Sequence, residues 1–408
     1  MSTGIWNSNY NPPDFAKKSF DFNMIKKMPN GGAPLSALLD LFPSETAKQV
    51  SHGYWTKSMI FPEMTLSAGA AASDVVLNVT STANVVAGME FQPYSTTLWN
   101  AESLIVDSVI NSTQVRVTRA QGTGAAAIIT SGTKLYLTGN AHEEGSLRPN
   151  ALNIVPTYVN NYTQIFRDTW ALTGTAAAVE VVAGEKPTAA NKMDGATFHA
   201  MAKERALIFG QKMMGTRNGQ PFHKMEGIIS MINNPDYYPA YMGSPNVNAA
   251  GSTTTFDQLE SYLDPTFSQV TSGASADTRV LFLGSQARKV INKIGALYGE
   301  VQTTDGQTSF GLRFDTFKLT RGTYYMIEHP LFNSNPNWSK MALALDLSAL
   351  KKAYLSMRDT QHKSFNAVGE EAQDNGIDAV GGTYTTEMTL LCHNPSACAL
   401  ITNLTAAA

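Results

Sequence analysis

The sequence predicts an α+β protein in which an extended N-terminal arm and a β-rich module precede one long helix and a mixed α/β body. Three observations carry that reading. Residues 191–215 are the longest uninterrupted helical signal in the 408 residues. Residues 64–140 have the two-residue alternation of strands, and strand-like runs dominate the chain beyond Phe310.

Residues 1–60 lack the texture of a folded domain. Pro12, Pro13, Pro29, Pro34 and Pro43, with Gly31 and Gly32, cut the stretch into short pieces, and only 34–41 and 44–51 are able to form short helices. Yet Trp6, Tyr10, Phe15, Phe20 and Phe22 crowd the first 22 residues, where a disordered tail would be poor in aromatics. Spaced aromatic anchors on an extended arm suit a chain that lies along another subunit. Lys17, Lys18, Lys26 and Lys27 add a modest positive bias, which fits a solvated face as well as a contact with DNA or an acidic neighbour.

Over 61–145 the texture turns to β. Leu77 and Val79 continue an alternation begun at Val75. Leu104 and Val106 mirror Val115 and Val117 across a hairpin turn at Asn111–Ser112, giving a module of five or six strands. The loop AHEEGSLRPNA follows at 141–151. Its Glu143 and Glu144 beside His142 raise acid–base or metal chemistry, but adjacent residues do not converge on one point, and a solvated or interfacial turn is the stronger reading. Residues 146–220 are expected to hold short strands and then the long helix. On that helix Phe198, Ala202, Ala206, Phe209 and Met213 form one face, which Met201 and Ile208 widen, with Lys203, Glu204 and Gln211 off it. At about 1.5 Å per residue the rod is roughly 30 Å long.

The next region, 221–320, contains a helix over 256–270 interrupted at Pro265, then a βα unit. In that unit 279–283 is a buried strand, Ser285 an N-cap, and Ala287, Val290, Ile291, Ile294 and Leu297 an apolar helical face. Gly284–Ser285 could cradle an anion, but a tight turn is the stronger reading. Over 321–408 strands are expected at 324–329, 341–346, 349–357, 383–392 and 397–402. The last two pair as a hairpin, and 362–382 is a loop.

Composition narrows the function. Charged residues make up 15%, below the roughly 25% of an ordinary soluble chain, which points to surfaces covered by neighbours. A net charge of −3 provides no basic domain for gripping nucleic acid. The polar N-terminus has no secretory pattern, no run approaches the 18 or so apolar residues of a membrane span, and the chain reads as cytosolic. Cys392 and Cys398 read as free thiols more readily than as a disulfide. No phosphate-binding loop, nucleophile elbow or His-Glu-x-x-His motif occurs, so no catalytic residue, cofactor or metal site is assigned.

The order of these elements resembles the major capsid proteins of tailed bacteriophages, with the Hong Kong 97-type capsid fold: arm 1–60, extended loop enlarged to a β-domain 61–145, peripheral domain with spine helix 146–220, axial domain 221–320 and peripheral strands 321–408. RVTRAQGTGAA at 116–126, HEEGSLRPNA at 142–151 and VNNYTQIFRDTWALTGTAA at 159–177 look like the subgroup found in short-tailed phages. The resemblance implies a virion protein assembled in the host bacterial cytoplasm. It implies pentamers and hexamers of one chain enclosing double-stranded DNA, with scaffolding and portal proteins and a decoration protein as partners. Under that reading Trp6, Tyr10, Phe15, Phe20, Phe22, Glu143, Glu144 and Arg148 are the expected inter-subunit contacts. The alternatives are a hydrolase with an accessory β-domain, which would need two carboxylates about 5–9 Å apart in a cleft, and another virion structural protein.

Overall fold

The computed structural model describes residues 32–57, 63–94, 101–146, 148–153, 155–179, 186–234, 237, 245–251, 253–268, 277–298, 307–309, 312–365 and 378–406. The chain divides into two units. One is Gly53–Asn160 with Asn234–Pro245; the other takes the chain up to His52, Asn161–Asn233 and Asn246–Ala408.

The first unit is built on a six-stranded antiparallel sheet. Its order is Glu63–Thr65, Lys134–Asn140, Met89–Pro93, Leu104–Asn111, Gln114–Thr118, Val76–Asn78. Leu77, Val79, Leu104, Val106, Val115 and Val117 all turn into one core with Met64, Phe91 and Leu135, as a period of two requires. Val75 leaves the pattern: it precedes its strand and is exposed.

The second unit has two sheets. In the five-stranded one, Glu45–Ala47, Leu350–Leu355, Ala379–Cys392 and Gln164–Thr173 follow in that order, and Gln361–Phe365 also pairs with Ala379–Cys392. The seven-stranded one runs Val247–Ala249, Ala399–Thr402, Ala342–Leu345, Thr278–Leu283, Thr323–Glu328, Leu312–Lys318, Gln307–Ser309. Its core gathers Leu281, Leu283, Phe317, Tyr324, Ala344 and Ile401 under the helices Phe256–Leu263 and Ser285–Tyr298.

Several expectations are corrected here. The long helix is Pro187–Phe209, not 191–215: proline opens it and Gly210 ends it. Met213–Arg217 is a strand paired with Gln220–Lys224. Asn218 and Gly219 between them have φ of 52° and 73°, the left-handed pair of a type I′ turn, so the hairpin takes these residues from the helix. The buried helix face is Gly195, His199, Glu204, Leu207 and Ile208, while Phe198 is 64% exposed and Met213 also faces solvent. The helix lies on a sheet face carrying polar groups, so its buried stripe is partly polar; of the expected apolar face, Ile208 is buried and Ala202, Ala206 and Phe209 are half-buried, with Phe209 stacked on Trp338.

Residues 44–51 do not form a helix. Glu45–Ala47 is a strand parallel to Leu350–Leu355. Ser285 is the first residue of its helix rather than the cap, since the Gly284 carbonyl accepts the Arg288 N–H at 2.9 Å. A Cβ on Gly284 would lie 2.4 Å from the Ser339 carbonyl oxygen, so the turn is tight because two backbones touch.

The strands of 321–408 are divided between the two sheets. Ala379–Cys392 belongs to the five-stranded sheet and Ala399–Thr402 to the seven-stranded one, so they form no hairpin. Both runs are buried and apolar, and such runs contain no signal for which neighbour they pair with. Gln361–Phe365, expected within a loop, is a strand against Ala379–Cys392.

Candidate functional site

The Gln164–Thr173 strand and its flanks organise the second unit. Asn161, fully buried, satisfies its whole side chain: Nδ2 donates to the Glu226 and Leu390 carbonyls at 3.1 and 2.7 Å, and Oδ1 accepts from the Tyr162 and Glu226 N–H groups, both at 2.8 Å. The Thr163 hydroxyl donates to Glu387 at 2.9 Å, and Glu387 also pairs with Arg358 at 2.6 Å. Gln164 accepts from the Met225 N–H, and Trp170 Nε1 donates to His362 Nε2 at 3.0 Å. Ten consecutive residues, Gln164 to Thr173, pair with Ala379–Met388.

On the helix-facing side of that strand, Asp168 Oδ2 stands 2.6 Å from His199 Nδ1, and His199 Nε2 stands 2.7 Å from the Thr386 hydroxyl. This has the connectivity of a hydrolytic triad. Its hydroxyl is 0% exposed and bonds onward to Thr360 at 2.9 Å, so no substrate reaches it. Burial pulls the His199 pKa below its usual 6.5 against the opposing pull of Asp168. Burial also lowers Lys203, with Asp40 opposing and Lys352 adding to the shift. The group ties helix to sheet.

A second buried group fixes the start of the described chain. The short helix Pro34–Leu39 has no side-chain cap of its own. Glu204 supplies one: its carboxylate accepts the Leu35 and Ser36 N–H groups, each at 2.8 Å. His329 Nε2 lies 2.9 Å from the same carboxylate. Because the Leu331 N–H donates to His329 Nδ1 at 3.2 Å, Nε2 carries the proton that Glu204 accepts. At the other end of the short helix, Asp40 pairs with the buried Lys352.

The β unit has its own clamp. Arg119 holds Glu102 through two bonds of 2.7 Å, and further bonds reach the Ala71 and Ala127 carbonyls. Residues 141–146 and 148–150 lie exposed on this unit, where Glu143 and Arg148 line a groove of about 630 Å³ with Asp107 and His142. Glu144 is exposed beside it. The other expected contacts, Trp6, Tyr10, Phe15, Phe20 and Phe22, lie outside the described residues.

Among the described residues no group of three or more His, Cys, Asp or Glu is placed to hold a metal, and no helix is long and apolar enough to cross a membrane. Cys392 and Cys398 are buried and form no disulfide; the hydrogen bond between them, and then burial, push the Cys392 pKa up.

A family model described as "SU10 major capsid protein" matches residues 23–405, taking in both units. The chain belongs to the SU10 major capsid protein family. It is 36% identical over 411 residues to the "Major capsid protein" of Pseudomonas phage PaMx41, covering 98% of this chain and 96% of that one. Among solved structures, one from Mycobacterium phage Bobi is 8% identical, covers 95% of both chains and superposes with a TM-score of 0.43. The holo-SrpI encapsulin complex from Synechococcus elongatus PCC 7942 is 11% identical, covers 62% of this chain and 78% of that one, and has a TM-score of 0.42. The assignment rests on the two sequence matches.

An SU10 major capsid protein is a structural component of a phage head, and the hydrolase reading is set aside on that ground. The sequence motifs have clear physical roles in this member of the family: Arg119 of RVTRAQGTGAA is the β-unit clamp, and Asn161, Thr163, Asp168 and Trp170 of the third motif bind strand to strand and strand to helix. Reading the sequence alone missed Glu204 and His199, because a Glu and a His inside a helical stretch look like surface residues. It also passed over Arg167 and Lys363, which lie on the sheet face turned away from the helix.

Proposed function

We propose that copies of this chain assemble into pentamers and hexamers of an icosahedral shell enclosing double-stranded DNA, built in the host cytoplasm with scaffolding and portal proteins. The observation that carries the reading is the extent of the family match. Because residues 23–405 include the β unit as well as the two-sheet unit, both belong to one shell subunit, and neither is an added enzymatic module. The low charge content fits surfaces that end covered by neighbours.

Inter-subunit contacts then fall on the arm aromatics Trp6, Tyr10, Phe15, Phe20 and Phe22 and on Glu143, Glu144 and Arg148 of the exposed loop. In this reading the chain serves as an arm at 1–60, an extended loop at 61–145, a spine-helix region at 146–220, an axial domain at 221–320 and a peripheral domain at 321–408. The β unit serves as the extended loop, and the strands of the last segment serve both sheets.

Electron microscopy of the purified full chain, expressed with and without a scaffolding protein, tests this. Closed shells, or sheets of five- and six-membered rings, are expected. A protein that stays monomeric under every condition overturns the reading. Deletion of residues 1–22 is expected to leave a folded subunit that no longer closes shells.

A further inference from the structure

We propose that the open face of the five-stranded sheet receives the loop at 141–146 of a second copy of this chain, with Arg167 and Lys363 meeting Glu143 and Glu144. The inference rests on the shell reading above and names the partner of one of its contact sites.

Along Gln164–Thr173, Phe166 and Trp170 are buried and Asp168 bonds the helix, so Arg167 and Thr169 point to the opposite face, where both are exposed. The register places Arg167 opposite Thr385 and Thr169 opposite Thr383. From the other side Gln361 meets Thr385 and Lys363 meets Thr383. Arg167 and Lys363 therefore flank one strand diagonally across a floor of threonine hydroxyls, and together they line a groove of about 500 Å³. That volume admits the tip of a loop, not a folded domain.

The occupant follows from the charges that the groove leaves unmatched. Of the three cations lining it, Arg358 has an acidic partner, Glu387. The side chains of Arg167 and Lys363 have no ion pair or hydrogen bond among the described residues. The one acid lining the groove is Asp359. On the β unit, Glu63 and Glu102 are paired with Lys134 and Arg119, whereas the exposed Glu143 and Glu144 have no side-chain partner among the described residues. Two unpaired cations on a hydroxyl-rich floor thus match two adjacent unpaired carboxylates on an exposed loop. Threonine hydroxyls and Gln361 add neutral donors for carboxylate oxygens. Complementary charge of this kind sets register between copies more than it adds affinity, and like charges brought together oppose docking strongly.

The test is a charge exchange within the full-length chain. E143K/E144K and R167E/K363E are each expected to reduce shell yield by at least about tenfold, because each brings like charges together at every contact. The quadruple variant E143K/E144K/R167E/K363E restores complementarity in every copy and is expected to recover most of the yield. Circular dichroism and thermal melting of unassembled subunits establish that each variant is folded. Single exchanges that assemble like the parent chain, or a quadruple variant no better than either pair, overturn the proposal. It is also overturned if R167E/K363E alone lowers the DNA content of normally formed particles, which would assign the face to nucleic acid. Failure of the parent chain to assemble at all counts against the shell reading, and is distinguishable from these outcomes.

Discussion

Glu204, in the long helix, caps the short helix Pro34–Leu39 by accepting the N–H of Leu35, 169 positions earlier, at 2.8 Å. The same carboxylate takes Ser36 and His329, so one buried side chain joins the Pro34–Leu39 helix, the long helix and the turn after Thr323–Glu328.

Glu204→Ala removes three hydrogen bonds at once and leaves two N–H groups and a histidine without partners in a buried site. A loss of about 3 kcal/mol is expected from unsatisfied buried donors. Glu204→Gln keeps the volume and one acceptor oxygen, so a loss of about 1–2 kcal/mol is expected. Urea unfolding of the unassembled subunit measures both, and equal losses for the two variants would contradict the account.

Stability should fall on mild acidification. Burial lowers the His199 pKa below 6.5, so as pH drops past about 6.5 the unfolded chain binds a proton that the folded chain refuses. The decline stops below the folded value, and above 6.5 this residue makes stability independent of pH. His393 is shifted the same way, mainly by burial. His199→Gln should therefore flatten the profile between pH 7.5 and 5 in part, as read from urea midpoints across that range.

Arg119→Met strands Glu102 as an unpaired carboxylate inside the β unit, since both side chains are at least 95% buried. Loss of about 3–5 kcal/mol is expected for breaking a buried pair from one side. Limited proteolysis should then cut within Gly53–Asn160 before the rest of the chain. Replacing both partners with apolar residues of similar size should recover much of the loss.

Gly284→Ala tests the tight strand-to-helix turn. The added methyl meets Ser339 backbone atoms rather than a movable side chain, so about 1–3 kcal/mol of destabilisation is expected from overpacking. A variant as stable as the parent would show that the two backbones can part without cost.

Much of this was legible in the residues. The six-stranded module follows from Leu77, Val79, Leu104, Val106, Val115 and Val117, whose alternation is local and needs no partner to be seen. Ser285–Tyr298 was equally visible, with Ala287, Val290, Ile291 and Ile294 buried at helical spacing. The Asn218–Gly219 hairpin was also written locally, and was lost only because an apolar stretch ran into it.

What the residues alone could specify were elements held together by contacts a few positions apart: the existence of the long helix, the alternation of the β unit, the βα unit, and the kinship of the whole chain. Which helix face is buried, which sheet receives Ala379–Cys392 or Ala399–Thr402, and why Glu204 is where it is depend on partners on other elements, distant in sequence. A buried Glu or His is stable only if its donors and acceptors are already in place. Those donors belong to other elements, so the role of such a residue exists only once the chain has folded around it.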